Sequence, residues 1–151
     1  HMDLVMTPDH SFAQRKTVAR TELKDQPLCI AGNRHGSRIL IERYFQEGDL
    51  PLNVVMELDS MFLMIEAIRT LPILGFIPHG DLEPEDGLIA VPLEPPIVRN
   101  LYLARLRQHA NPMVAPLVEE IRGAVQARGL PRRKSRPTAA GRPAGPRRRT
   151  A

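Results

Sequence analysis

Short apolar runs constrain this chain more than any other feature, because each is closed by proline or glycine and separated from the next by a helix-length segment. Leu4-Val5-Met6 stops at Thr7-Pro8, and Pro27-Leu28-Cys29-Ile30-Ala31 gives way to a polar loop from Gly32 to Gly36. Val54-Val55-Met56-Glu57-Leu58 follows Gly48 and Pro51, Ile73-Leu74-Gly75-Phe76-Ile77 ends at Pro78, and Leu88-Ile89-Ala90-Val91-Pro92-Leu93 comes last. Runs this short, bounded by turn residues, read as strands buried on both faces. The segments between them have helical spacing. Leu40, Ile41, Tyr44 and Phe45 recur at i, i+4 from Ser37 up to Gly48, a residue suited to a helix C-terminus. Asp59 or Ser60 can cap a second helix through Arg69, apolar on most of its circumference (Met61, Phe62, Leu63, Met64, Ile65, Ile68). Thr21 to Asp25 reads as a single helical turn. Strands alternating with helices predict an α/β fold: a parallel sheet with helices on both faces.

Beyond Pro95-Pro96 the pattern changes. Ile97 to Leu106 is strand-like, and Asn111-Pro112 then opens a last helix with Asn as N-cap and Pro at N1. Its stripe of Val114, Leu117, Val118, Ile121 and Val125 keeps the 3.6-residue period, and Gly129 closes it.

Charge is unevenly spread. Residues 130–151 hold eight basic residues and no acid, leaving thirteen basic against seventeen acidic residues in the rest of the chain. The body is therefore mildly acidic and a poor nucleic-acid surface. The tail has four prolines and no aromatic residue, so it cannot bury enough area to offset its ordering entropy and is expected to lack fixed structure. An Arg-rich arm of this kind can touch nucleic acid non-specifically. No apolar run approaches the ~20 residues of a membrane span, and the start lacks the charged and apolar regions of a signal peptide. His1 before Met2 reads as a cloning remnant, and a single Cys29 fits a reducing, cytoplasmic setting.

Catalytic signatures are missing from the sequence: there is no GxSxG, HExxH, P-loop, CxxC or GxGxxG. Cys29 falls inside a core strand and reads as packing. His79, Asp81, Glu83, Glu85 and Asp86 crowd one segment, but their spacing matches no established ligand set, so a solvated acidic loop is expected, with no metal and no cofactor. The segment Asn33-Arg34-His35-Gly36-Ser37-Arg38 differs, because it follows a core strand and opens a helix. In open parallel sheets ligands bind beyond the carboxyl ends of strands, where a helix N-terminus offers free N–H groups and a positive dipole end. Gly36 lets a ligand approach the backbone, Ser37 adds a hydroxyl, and Arg34, His35 and Arg38 add positive charge. The same pattern also suits an ordinary capped βα-loop with solvated side chains.

The order of these segments resembles the C-terminal effector-binding domain of LysR-type transcriptional regulators. Pro8-Asp9-His10-Ser11-Phe12-Ala13 is similar to that family's Pro-x-His-Pro-Leu-Ala turn, and Leu23 to Ile30 resembles its Leu-x-x-x-Pro-Leu-Ile strand. Arg38 to Phe45, Gly48 and Pro51 match the helix and turn that follow. Val54 to Ser60, Ile77-Pro78 and Val91-Pro92-Leu93 fall at later landmarks, so the match covers roughly residues 3–128.

The resemblance implies a sensor of the type 2 periplasmic-binding-protein-like fold, in which two lobes joined by crossing strands close on a small effector. It implies dimers or tetramers, and DNA binding through an N-terminal winged helix-turn-helix that this chain does not contain. Second-lobe effector contacts fall on Arg34, His35, Gly36 and Ser37, the residues the local chemistry also picks, and the effector is expected to be a small anion. By resemblance, residues 3–96 form the second lobe, residues 97–129 a return strand and C-terminal helix of a partial first lobe, and residues 130–151 the tail. Departures are a His10-Ser11 pair where His-Pro is usual and Leu71-Pro72-Ile73 where a Gly-x-Gly turn is common. The first lobe's serine and threonine contacts are absent, and its missing partners would leave a strand edge and an apolar helix face exposed, so self-association is expected. Two other readings stand: a naturally truncated regulator that only dimerises, and a solute-binding lobe serving transport. None of the three is an enzyme.

Overall fold

The computed structural model describes residues 1–100, 102–104 and 112–127. They fall into two compact units, residues 1–103 and 104–151, each taken by itself below.

The first unit is built on a six-stranded sheet. Its strands are β1 (Met2–Met6), β2 (Val18–Ala19), β3 (Leu28–Ile30), β4 (Val54–Glu57), β5 (Leu74–Pro78) and β6 (Ile89–Ile97), in the order β2-β6-β1-β5-β3-β4. β3 runs parallel to β4 and β5, and β2 runs parallel to β6. β1 runs against both of its neighbours, pairing Leu4 with Phe76 of β5 and with Val91 of β6. The parallel arrangement read from the sequence thus holds on both sides of one reversed central strand.

Two helices cover the sheet: α1 (Gly36–Glu47) and α2 (Met61–Thr70). Side chains alternate along each central strand. Leu4 and Met6 of β1, Leu28 and Ile30 of β3, and Leu74 and Phe76 of β5 join Ile41, Tyr44 and Phe45 of α1 in one core. Val5, Cys29 and Ile77 turn the other way and meet Met64, Ile65 and Ile68 of α2. That double burial explains why the strands read as unbroken apolar runs. Gly75 is part of the fit: a Cβ there would lie 2.5 Å from Ile68 Cδ1, so glycine lets α2 settle onto β5.

Helix ends follow the sequence closely. Ser60, rather than Asp59, caps α2, its Oγ accepting the Leu63 amide at 3.4 Å. α1 begins at Gly36, one residue before the start read from the sequence, and Gly48 terminates it. The expected turn at Thr21 is a 3-10 helix over Arg20–Leu23. α2 is less enclosed than its composition implies: Met61, Phe62 and Leu63 stay exposed, Phe62 at 68%.

One expected element is not found among the described residues. Ile97 is the last residue of β6, and the described residues between 98 and 104 form no strand, where sequence reading places one through Leu106. Ile97 lies opposite Met2, the first residue of β1, so no described strand offers residues beyond 97 a backbone partner. Val98, Tyr102 and Leu103 are exposed accordingly.

In the second unit, α3 spans Val114–Ala127, with Pro112 and Met113 in a turn before it rather than in the helix. Its stripe of Leu117, Ile121 and Val125 is exposed, Leu117 at 59%. The N-cap Asn111, the closing Gly129 and the basic tail lie outside the described residues.

Candidate functional site

The loop from Ala31 to His35 connects the carboxyl end of β3 to α1, and the Leu58 to Ser60 connection runs from the carboxyl end of adjacent β4 to α2. Parallel pairing brings them together. Ile30 lies opposite Glu57, and the Leu58 amide donates to the Ile30 carbonyl at 3.1 Å. Two residues further on, the Gly32 amide donates to Asp59 Oδ1 at 3.0 Å. A side chain at position 32 would place Cβ 2.5 Å from that oxygen, so the approach depends on glycine.

His35 is the N-cap residue of α1 but makes no side-chain capping bond. Its imidazole turns toward Asp59, with Nε2 at 3.4 Å from Oδ1. Its amide closes a turn onto the Gly32 carbonyl at 3.1 Å, and its carbonyl accepts the Arg38 amide at 3.1 Å. The Gly36 and Ser37 amides therefore head the helix with no acceptor among the described residues. Gly36 has open space around it, since a Cβ there would meet nothing within 4 Å. Arg34 is exposed, and neither its guanidinium nor the Ser37 hydroxyl has a hydrogen-bond or ionic partner among the described residues.

Arg38 plays a different part from the one its sequence position implies. Its guanidinium donates to Glu42 at 2.6 Å, to Glu57 at 2.7 Å and to the Ala31 carbonyl at 3.4 Å. Its hydrogen bonds to Glu42, first, and to Glu57 hold it protonated to higher pH than an ordinary arginine. Its charge is already compensated, and it fastens α1 to β3 and β4. Positive charge available to a ligand comes from Arg34 and, when protonated, His35, with the Asp59 carboxylate opposing it.

All four site residues named from the sequence, Arg34, His35, Gly36 and Ser37, thus stand together at the α1 N-terminus. Asp59 and Gly32 were the residues sequence reasoning missed. The signal that could have found them is register: once Ile30 is set opposite Glu57, Gly32 and Asp59 fall opposite each other. A shallow concavity of about 500 Å³ lies elsewhere, around the far end of α1, lined by Phe45, Asp49, Leu50 and Leu52 among others. α1 is about 18 Å long at 1.5 Å per residue, so that concavity is remote from the loop. His79 also parts from the acidic loop it sits beside in sequence and pairs with Asp3 across the sheet.

A family model described as LysR substrate binding domain matches residues 1–126. The chain belongs to that family, the effector-binding domains of LysR-type transcriptional regulators. Solved structures show the same fold. The Synechocystis PCC6803 CcmR regulatory domain in complex with 2-PG superposes with a TM-score of 0.72 at 17% identity, over 82% of this chain and 62% of that one. HinK, a LysR family transcriptional regulator from Pseudomonas aeruginosa, gives 0.70 at 18% identity over 83% and 44%. The effector-binding domain of QuiR in complex with shikimate gives 0.63 at 14% identity over 79% and 58%. The chain spans less than two thirds of the length of each of these relatives. No described helix is long and apolar enough to cross a membrane.

Proposed function

We propose that this chain is the effector-sensing and oligomerisation part of a bacterial LysR-type regulator acting in the cytoplasm, and that its ligand is a small anionic metabolite bound at the head of α1. The observation that carries this reading is the uncapped α1 N-terminus, where the Gly36 and Ser37 amides, the Ser37 hydroxyl and the Arg34 guanidinium have no partner among the described residues. A carboxylate or phosphate supplies acceptors for all of them, and the helix dipole favours its charge. Arg34 and His35 contribute charge, Gly36 open backbone, and Ser37 a hydroxyl. CcmR with 2-PG and QuiR with shikimate support this reading, both ligands being small molecules held by effector domains of the same fold.

The role is one of binding, not catalysis. Ligand shifts the population between two arrangements of lobes or subunits, and the arrangement governs how a winged helix-turn-helix engages DNA in the full-length regulator. Residues 3–96 form the ligand-bearing lobe in this reading, and residues 97–129 belong to the other. The exposed stripe of Leu117, Ile121 and Val125 on α3, an apolar surface that a second copy would cover, supports a dimer or tetramer.

A thermal-shift screen against inorganic phosphate and small carboxylates tests the ligand claim. Saturable stabilisation is expected for the parent, with loss in both Arg34→Ala and Ser37→Ala. Stabilisation that survives both substitutions contradicts the site. Light scattering at tens of micromolar tests the second claim, and a strictly monomeric chain contradicts it.

A further inference from the structure

His79 follows β5 at the sheet edge that also carries the loop before α1. β5 runs parallel to β3, with Leu74 opposite Leu28 and Gly75 opposite Cys29. Continuing that register sets Pro78 level with Gly32, one strand spacing of about 4.8 Å away, so His79 stands beside the loop that bears Arg34 and His35. Its backbone is fixed: the Asp81 amide closes a turn onto the Pro78 carbonyl at 3.0 Å, with Gly80 at φ +81°. Its ring is fixed as well. Asp3 of β1, flanked by Ile77 and Pro92 on the neighbouring strands, is the single charged residue in the described interior, and its Oδ2 lies 2.6 Å from His79 Nδ1. A buried carboxylate needs a donor, so Nδ1 carries the proton and Nε2 is left as the free ring nitrogen. The His79 side chain is 57% exposed, and Nε2 has no hydrogen-bond partner among the described residues. His1 also approaches Asp3 and stacks on His79, but it reads as a cloning remnant, and the Asp3–His79 bond needs neither contact.

We propose that His79 is a specificity-determining residue and that the effector is a hydroxy acid, its acid group at the head of α1 and a hydroxyl further along it paired with His79 Nε2. This rests on the anion reading of the α1 head. A hydroxyl both donates and accepts, so it satisfies Nε2 whether the ring is neutral and offers a lone pair or is protonated and offers an N–H. A second carboxylate pairs with the protonated ring only, and the Asp3 and Asp59 carboxylates oppose it. An alkyl chain covers Nε2 and leaves it without a partner, which costs binding. Asp3 acts through His79: it holds the ring so that Nε2 faces the ligand.

Calorimetric titration of the full chain with gluconate, hexanoate and adipate, acids of equal chain length, tests this. Inorganic phosphate, read by NMR at the Gly36 and Ser37 amides, checks the α1 head separately. Gluconate is expected to bind about tenfold tighter than hexanoate or adipate. His79→Asn keeps a donor for Asp3 where Nδ1 stood but has no Nε2, and it brings gluconate and hexanoate to within about twofold of each other. His1→Ala keeps the parent's preference. A merely structural His79 predicts instead that His79→Asn, with its bond to Asp3 intact, keeps the preference too. Phosphate shifts without any gluconate preference overturn the role of His79 alone, as does a preference that survives His79→Asn or is lost in His1→Ala. Absent phosphate shifts at Gly36 and Ser37 overturn the α1-head reading, and the hydroxy-acid inference with it.

Discussion

The Gly32 amide and the Asp59 carboxylate, 27 residues apart in sequence, meet at 3.0 Å and tie the loop before α1 to the loop before α2. The same carboxylate lies 3.4 Å from the His35 imidazole, so an anion built into the fold already stands beside the helix terminus proposed to receive one. Asp59 sets the electrostatic threshold of that site: any ligand charge must be favoured over its own.

Removing that charge has a defined consequence. Asp59→Asn keeps an acceptor for the Gly32 amide but takes away the opposing negative charge, and phosphate or small carboxylates bind about three- to tenfold tighter at low salt. The gain shrinks as salt rises toward ~0.15 M, where the screening length is about 8 Å. Calorimetric titrations of parent and variant at two ionic strengths measure both effects.

Arg38 is a fastening, not a ligand. Arg38→Ala removes three hydrogen bonds and leaves Glu42 and Glu57 without their shared cation. Both carboxylates are half exposed, so solvent screens much of the loss and the cost is about 1–2 kcal/mol of folding stability. Arg38→Lys recovers only part of it, because a single ammonium cannot reach the same three acceptors. Urea unfolding of the three proteins gives the ranking.

His10 makes stability fall on the acid side. Burial is the main cause of its lowered pKa, with Asp9 opposing, and its Nδ1 accepts the Phe12 amide at 3.2 Å, which requires that nitrogen to be unprotonated. The folded-state pKa lies below the unfolded value of 6.5, so the contribution is fully present above pH 6.5 and is lost as pH falls through the folded pKa. An NMR titration of the His10 ring has its midpoint below that of a peptide histidine, and His10→Asn flattens this part of the stability profile.

Cys29 is chemically silent in the folded state. It is buried in β3 beneath α2, and burial raises its thiol pKa above the ordinary value. Labelling by a thiol-disulfide reagent follows the unfolding rate of the chain and becomes fast only in denaturant.

The layers of this fold were legible in the sequence because they rest on local pattern. Continuous apolar runs marked β1, β3 and β5, and the i, i+4 spacing of Leu40, Ile41, Tyr44 and Phe45 marked the buried side of α1. Strand direction was not legible, since nothing in Leu4-Val5-Met6 states that β1 runs against its neighbours. Leu101 to Leu106 carried a strand's composition, but a strand needs a partner, and the described residues 98–100 and 102–104 form none. At the candidate site, Arg34 to Ser37 were visible as a contiguous motif. Asp59, the buried Asp3 and the second use of His79 depend on pairings between distant strands, which residue type alone does not record.

The most direct test of the central claim is a ¹⁵N-resolved NMR titration of the chain with inorganic phosphate, read at the Gly36 and Ser37 amides. Anion binding at the head of α1 predicts saturable downfield shifts centred on these two amides and lost in Arg34→Ala. Unmoved Gly36 and Ser37, or shifts centred instead on the Phe45 to Leu52 concavity, contradict it.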